Sequence, residues 1–329
     1  MNGSHPDKVA IVLLNWNGLQ DTLECLASVK KLEYPSVEIF LVDNGSTDGS
    51  AAALKSAYPG IRLVENRQNM GFCGGCNTGI QRALDSGPGY LLILNNDTVV
   101  DPSLIGKLKA VVDADESIAA VNPVIDIYAT GAPPYFFGTK IDWANGDLCS
   151  QYRFDYVMSR KEPLETDFAT WCALFMKASV FRRVGPLDER FFAYYEDTDW
   201  SRRARRLGLR TVLLPEILVH HKNSRSTGGS YSPTVYFYLF RNRLLFIKKH
   251  APWWRKLQFC HWYVCDTFKK YRILERKRPD AAQAVLDGFW SAVNGYSGNT
   301  RLSFPERWRS GRAAWLAVYL RLRVLKAVW

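Results

Sequence analysis

The chain has 329 residues, 47% of them apolar, and a formal net charge of +11. That makes it a globular protein of one large domain or two modest ones, basic enough to suit a polyanionic partner or an anionic membrane surface. No uninterrupted apolar stretch approaches the roughly 20 residues that a membrane-spanning helix needs. The seven cysteines are scattered and odd in number, and no secretory leader precedes the first strand, so a reducing cytoplasm is the expected setting.

In chain order, VAIVLL at Val9–Leu14 has the length and β-branching of a buried parallel strand, and it stops at Asn15-Trp16-Asn17-Gly18. Leu19 to Lys31 has near-helical apolar spacing, with Asp21 and Glu24 early and lysines late, as the helix dipole favours. A second strand, VEIFLV, ends in DNGSTDGS at Asp43–Ser50, and a helical stretch, Ala51 to Ala57, follows it. Ile61 to Val64 reads as a third strand, Gly71 to Ser86 as a Gly-rich turn entering a helix, and Tyr90 to Leu94 as a fourth strand. Cys73 and Cys76 have C-x-x-C spacing without a second pair or a nearby histidine, and read as small residues in a turn.

Strand, polar loop and helix, repeated in this way, predict an open α/β sheet. Ligands of such sheets gather at the carboxyl ends of the strands, where Asn15, Asp43 and Asp97 all fall.

After about residue 125 the rhythm changes. A Gly/Pro/aromatic stretch, ATGAPPYFFG, and a mixed region lead to a strand and short helix within Phe168–Val184, then to the acidic cluster YYEDTDW and a basic helix. Thr211 to Leu214 reads as a late strand, with Val219-His220-His221-Lys222 opening a Ser/Gly-rich loop. From Pro233 onward the pattern is helical, basic and aromatic, punctuated by proline. The expected organisation is a catalytic α/β domain over 1–232 and a helical region over 233–329.

Several constellations could carry chemistry. Asn95 and Asp97 are two apart in an extended segment and so face one side, where a carboxylate and an amide oxygen suit a hard divalent cation. Asp43 at a strand end can accept the N–H of a pyrimidine ring, with the glycines after it allowing close backbone approach. Asn69 to Gly71 forms a similar ligand-tolerant turn. Each of these also reads as an ordinary Asx turn or helix cap. In Glu196-Asp197-Thr198-Asp199 the acids repel one another, which raises the pKa of whichever is buried. Glu196 and Asp199 can cap or pair with the following arginines, leaving Asp197 as the acid most free to take a proton. His220-His221 adds a metal or phosphate contact, or a structural histidine.

The motifs VLLNWNG, LVDNGSTDGS, NMGFCGGCNTG, LILNNDTVVDP, VGPLDERFFAYYEDTDWSRRARRLG and VHHKNSRSTGG together resemble the family 2 inverting glycosyltransferases, most closely a bacterial rhamnosyltransferase-like subgroup. The resemblance covers about residues 8 to 250. It implies a GT-A fold, Rossmann-like with a mostly parallel central sheet, and a nucleotide-sugar donor held through Mg2+ or Mn2+. By position, it puts the base-binding acid on Asp43, the first nucleotide loop on Asn15 and Asn17, and the donor-lining turn on Asn69 and Gly71. The family's D-x-D falls on Asn95-Asn96-Asp97, so Asn95 stands in place of the first acid, Asn96 belongs to the donor side and Asp97 is the metal-binding acid. The catalytic base falls on Asp197, beside Glu196. The strand-end histidine falls on His221, or on His220 next to it. Trp171, Cys172 and Glu196 fall on the acceptor side, with Cys172-Ala173 where a Gly-Ala pair is commoner.

The implied activity is hexosyl transfer to a hydroxyl of a glycan or lipid-linked acceptor in cell-surface polysaccharide assembly. A basic nucleic-acid-binding protein and a catalytically inactive nucleotide-binding scaffold are the rival readings. Against the first, the basic excess is concentrated in the late helices and no nucleic-acid motif appears, so no nucleic-acid partner is expected. Against the second stand Asp97 and Asp197. The late helices set Trp, Tyr and Leu beside Lys and Arg, which suits either a peripheral contact with the inner face of the cell membrane or a homodimer.

Overall fold

The computed structural model describes residues 5–128, 134–222, 232–305 and 314–328. The Ser/Gly-rich run after Lys222 and the first part of ATGAPPYFFG lie outside the described residues.

The elements run β1 (His5–Asn15), α1 (Leu19–Val29), β2 (Val37–Asp43), α2 (Ser50–Ala57), β3 (Arg62–Glu65), α3 (Gly71–Leu84) and β4 (Pro88–Asn95). After a two-residue turn come β5 (Thr98–Val100), α4 (Leu104–Ala114), β6 (Ile118–Ile127), β7 (Thr139–Ile141) and β8 (Leu148–Ser150). Then follow α5 (Phe154–Met158), β9 (Leu164–Thr166), β10 (Ala173–Lys177), α6 (Ala178–Val184), α7 (Glu196–Arg206) and β11 (Arg210–His221). The last helices are α8 (Pro233–His250), α9 (Trp253–Leu274), α10 (Pro279–Val293) and α11 (Ala314–Val328).

The chain divides into two compact units. The first takes the described residues of Met1–Lys140, Ser150–Asp188 and Asp197–Ser226; the second takes those of Ile141–Cys149, Glu189–Glu196 and Thr227–Trp329.

A nine-stranded sheet forms the first unit, in the order β3-β2-β1-β4-β10-β6-β11-β5, with β9 on β11. β1, β2, β3 and β4 are mutually parallel, as are β6 and β11, while β10 runs antiparallel between β4 and β6. The mixed α/β sheet matches the expected architecture. Parallel strands buried on both faces need continuous apolar runs, and Val9 to Leu13 of β1 and Leu91 to Leu94 of β4 supply them, almost fully buried. α3 lies close against β1 and β2 because it offers no side chain at Gly79, where a Cβ would come within 2.6 Å of Val42 and 2.7 Å of Val12. Cys73 and Cys76 belong to this helix and are buried on its packed face, so they are not turn residues: the helix begins at Gly71.

Two further elements depart from the sequence reading. β6 is absent from it because IAAVNPVIDI, buried along most of its length, shows no period-two alternation and contains Pro123. The strand predicted over Thr211–Leu214 continues to His221 instead of opening a loop after Val219. A register shift between Leu214 and Ile217 spans Pro215 and absorbs the missing N–H, and the far end of β11 regains partners by pairing parallel with β6 and antiparallel with β5.

The second unit is built on α8, α9 and α10. Gly288 lets α10 approach α8, since a Cβ there would lie 2.4 Å from the Phe237 carbonyl oxygen. Among the buried side chains of α8 are Arg241, 1% exposed, and Asn242. A buried guanidinium is tolerated only where its donors are used. Arg241 donates to the carbonyls of Arg190 (3.1 Å), Phe191 (2.7 Å) and Gly298. Asn242 donates to the carbonyls of Phe191, Ala193 and Tyr194 at 2.9, 2.7 and 2.7 Å.

Candidate active site

The site grows from the carboxyl ends of β2, β4 and β11. Asn15, the last residue of β1, pairs in register with Asp43, the last residue of β2. Its side chain is fully buried and satisfied within the protein. Nδ2 donates to Asp43 Oδ1 (2.9 Å) and Ser50 Oγ (2.8 Å), and Oδ1 accepts from Thr22 Oγ1 (2.9 Å) and Gly18 N (3.2 Å). Thr22 in turn accepts from Asn96 Nδ2 at 2.8 Å. A continuous chain of hydrogen bonds therefore runs from Asp43 through Asn15 and Thr22 to Asn96, the neighbour of Asp97. The other oxygen of Asp43 accepts from Ser46 N at 3.0 Å, three residues on, which fixes the carboxylate at the strand end.

Asn44 forms a second hub. Its amide donates to Asn69 Oδ1 and the Gly71 carbonyl, both at 3.1 Å, and its oxygen accepts from Asn66 Nδ2 (3.0 Å) and Met70 N (3.2 Å). Asn69 also accepts from Gly71 N at 2.8 Å, so the turn predicted to line a ligand is tied directly to the end of β2. Gly45 is required at this crossing: its φ is +75°, and a Cβ would meet the Gln68 backbone at 2.7 Å. Asn17, at φ 50°, is an exposed left-handed residue whose side-chain oxygen accepts from Thr47 N at 2.8 Å.

Asp97 sits in the two-residue turn between β4 and β5 and is 7% exposed. The antiparallel pairing of Thr98 with His221 brings the two together: His221 Nε2 lies 3.0 Å from Asp97 Oδ1. His220 points to the opposite face of the strand and meets Asp126 at 3.6 Å instead. Strand alternation thus decides which of the two histidines joins Asp97. Cys172 is the third neighbour, since it precedes β10, its carbonyl accepts from Asn95 N at 2.8 Å, and its thiol faces the imidazole.

Burial pulls the His221 pKa down, while Cys172 and the Asp97 carboxylate push it up, and the net direction is upward, to about 10. Burial holds the Cys172 thiol protonated, so the carboxylate supplies the opposing charge. Nδ1 of His221 is buried without a hydrogen-bond partner among the described residues.

Among the described residues no cluster of three or more His, Cys, Asp and Glu forms a closed metal cage. The Asp97 carboxylate is of the kind that holds Mg2+ or Mn2+ together with substrate phosphates and water, and His221 could join it as a ligand only by giving up the proton that Asp97 stabilises.

Asp197, in the first turn of α7, stands apart from the strand-end network. It keeps part of its surface open, yet protein atoms crowd the carboxyl, and burial raises its pKa to about 7 against the opposing hydrogen bonds from Thr198. Those bonds come from Thr198 N at 2.7 Å and its hydroxyl at 3.2 Å. A carboxyl group with a pKa near neutrality can take a proton from a hydroxyl and be regenerated. Asp199 is spent on Arg203, at 2.9 Å, and Glu196 is buried. Trp171, on the expected acceptor side, is 1% exposed and packs against Trp200 and Phe181 at ring separations of 5.8 and 6.4 Å.

Comparison with known proteins gives the family of the chain. Residues 10–185 match the glycosyl transferase family 2 domain. An N-acetylglucosaminyl-diphospho-decaprenol L-rhamnosyltransferase of Mycobacterium tuberculosis is 26% identical over 250 residues, 70% of this chain and 81% of that protein. The dTDP-rhamnosyl transferase RfbF of Shigella flexneri is 24% identical over 249 residues, 73% of this chain and 80% of that one. S. aureus TarS in complex with UDP-GlcNAc superposes with a TM-score of 0.55 at 14% identity, over 98% of this chain and 89% of that one. GalNAc-T7 with UDP, GalNAc and Mn2+ gives a TM-score of 0.57 at 17% identity, over 94% of this chain and 57% of that one. At such identities the structural likeness shows a common GT-A fold, whereas the domain match over the strand-end motifs shows the family. This chain belongs to glycosyl transferase family 2 and is a glycosyltransferase.

Proposed function

We propose that this enzyme is an inverting glycosyltransferase that moves a sugar from a nucleotide-diphosphate donor, dTDP-rhamnose or a UDP-sugar, to a hydroxyl of a glycan or lipid-linked acceptor in cell-surface polysaccharide assembly. The observation that carries the reading is the joining of Asp43, Asn15 and Asn96 in one hydrogen-bonded network beside the Asp97–His221 pair. That is an arrangement suited to a base at one end and a diphosphate at the other. The activities of the two rhamnosyltransferase relatives favour dTDP-rhamnose as the first donor to try.

In this reading Asp43 accepts from the nucleotide base, with Asn17, Asn69 and Gly71 lining its pocket. Asp97 and His221 would hold a divalent cation, whose chemistry is to neutralise the charge developing on the departing diphosphate. Asp197 takes the proton of the acceptor hydroxyl as its oxygen attacks the anomeric carbon. The bond from that carbon to the diphosphate breaks on the opposite face, inverting its configuration. Thermal-shift screening of dTDP-rhamnose, UDP-GlcNAc and UDP-glucose with Mg2+ or Mn2+ tests the donor. A cation-dependent rise with one of them is expected, and a flat response to all would overturn the reading.

The acceptor side is proposed to include a bilayer contact. No helix among the described residues is long and apolar enough to cross a membrane. α9, however, exposes Trp253 (59%), Trp254 (55%) and Leu257 (45%) beside Arg255 and Lys256, a surface that combines interfacial aromatics with charge complementary to anionic lipid. The enzyme should float with phosphatidylglycerol vesicles and not with phosphatidylcholine ones. Trp253→Ser with Trp254→Ser should abolish most of that binding, and equal flotation of the double variant would refute the contact.

A further inference from the structure

The loop that leads into α7 has an unusual backbone. Phe192, Tyr194 and Tyr195 all have left-handed conformations, at φ 64°, 69° and 72°, and none is glycine. Such conformations persist in large aromatic residues only where the surroundings over-determine them. Here the surroundings are three consecutive residues of α8. Arg241 caps the carbonyls of Arg190 and Phe191, and Asn242 takes those of Phe191, Ala193 and Tyr194. Arg243 Nε donates to the Tyr195 hydroxyl at 3.1 Å, and that hydroxyl donates to the Gly146 carbonyl at 2.9 Å.

Each member of this set is itself fixed. Arg241 Nε donates to Asn242 Oδ1 at 2.8 Å, orienting the amide so that its NH2 faces the loop. Arg243 is anchored by Asp147 and, at 3.3 Å, by Asp266. Phe192 stacks on Tyr238 with ring centroids 5.2 Å apart, so α8 holds the loop by its side chains as well as its carbonyls. Four of the six backbone carbonyls from Arg190 to Tyr195 thus end on Arg241 or Asn242. A loop needs no such clamp merely to join two elements. One that must deliver a following side chain in a fixed direction does.

We infer that Arg241, Asn242 and Arg243 are positioning residues for catalysis: they lock the strained 190–195 segment so that the chain enters α7 in the one register that sets the direction of Asp197, two residues on. None of them needs to touch the substrate. The inference rests on Asp197 being the base, and it extends that reading to a set of residues outside the 10–185 family match.

The test compares Asn242→Ala, Arg241→Lys and Arg241→Ala with the wild-type enzyme and with Asp197→Asn. Two readouts are used, both well below each variant's melting temperature. The first is hydrogen exchange at amides 190–198. The second is turnover with dTDP-rhamnose or UDP-GlcNAc and a synthetic GlcNAc-diphospholipid, alongside the affinity for dTDP and UDP. For Asn242→Ala, exchange should rise in 190–198 and kcat should fall by about 100-fold, while nucleotide affinity stays within about threefold. Arg241→Lys, which retains a charged donor group on a single nitrogen, should recover part of the kcat lost in Arg241→Ala. Unchanged exchange in 190–198, or full kcat in folded Asn242→Ala, would overturn the inference. If Asp197→Asn retains activity, the base assignment itself fails, and that outcome is distinct from an inactive Asp197→Asn beside a fully active Asn242→Ala.

Discussion

Asp197→Asn should lower transfer by about 10²–10⁴-fold, the usual contribution of a positioned base, and should at the same time raise the melting temperature above pH 7. The two effects have one cause. Burial raises the folded-state pKa of Asp197 to about 7 from an ordinary value of 3.8. Below about pH 4 the carboxyl is protonated in both folded and unfolded chains, and it has no effect on the balance. Between pH 4 and 7 the unfolded chain ionises and the folded one does not, so stability falls as pH rises. Above pH 7 the penalty is complete, on the order of a few kcal/mol at about 1.4 kcal/mol per pKa unit. Asparagine is never charged, and its carbonyl oxygen can still accept from Thr198. The variant should therefore melt about 5 °C higher than wild type at pH 8 and at nearly the same temperature at pH 4. For the wild-type enzyme, kcat/KM should fall below a limb near pH 7 as the base becomes protonated. Scanning calorimetry at the two pH values and a pH–rate profile check both parts. A variant that is inactive yet no more stable at pH 8 would mean that Asp197 is not desolvated as described.

Asp97→Ala should weaken cation-dependent nucleotide binding by about 100-fold or more, a loss at least as large as that seen when a ligand's supporting partner is removed. In the proposed site the carboxylate is the main metal donor, and His221 can join it only after losing its proton. Without Asp97 the His221 imidazole loses the charge that holds it protonated, and its pKa falls from about 10 in the direction that burial favours. A neutral imidazole can still bind a metal, so a weak residual site is expected. Titration calorimetry of dTDP and UDP, with Mn2+ and with EDTA, measures the difference. In wild type the affinity should depend strongly on the cation; in Asp97→Ala the two conditions should converge. The same experiment on Asn95→Asp, which restores a second carboxylate two residues before Asp97, should show tighter Mn2+ binding. Identical metal dependence in wild type and Asp97→Ala would remove Asp97 from the cation site.

Much of this site is legible as strand ends. VAIVLLN, FLVDN and LLILNND each run from an apolar core into polar residues. In an open α/β sheet those ends share one edge, so Asn15, Asp43 and Asp97 can be placed there before any contact is known. Asn44 is the instructive omission. It stands beside Asp43 in a motif rich in turn residues, and only its four partners in the 66–71 segment reveal that it ties that turn to the end of β2. Thr22 escapes notice for the same reason: a threonine in a helix carries no mark of bonding to Asn15 and Asn96.

The local pattern by itself determined the α/β class, the strand ends that bear the site and the acid cluster that opens α7, because apolar runs and turn residues act on near neighbours. Tertiary structure decided the rest. Whether His220 or His221 meets Asp97 depends on the register of β11 against β5, and a shift of one residue would exchange them. That Cys172 lies by this pair depends on β10 entering antiparallel beside β4. That buried Arg241 and Asn242 serve a loop far back in the chain depends on α8 passing beneath its carbonyls. In each case the partners are distant in sequence, and a hydrogen bond between them leaves no periodic trace in either segment.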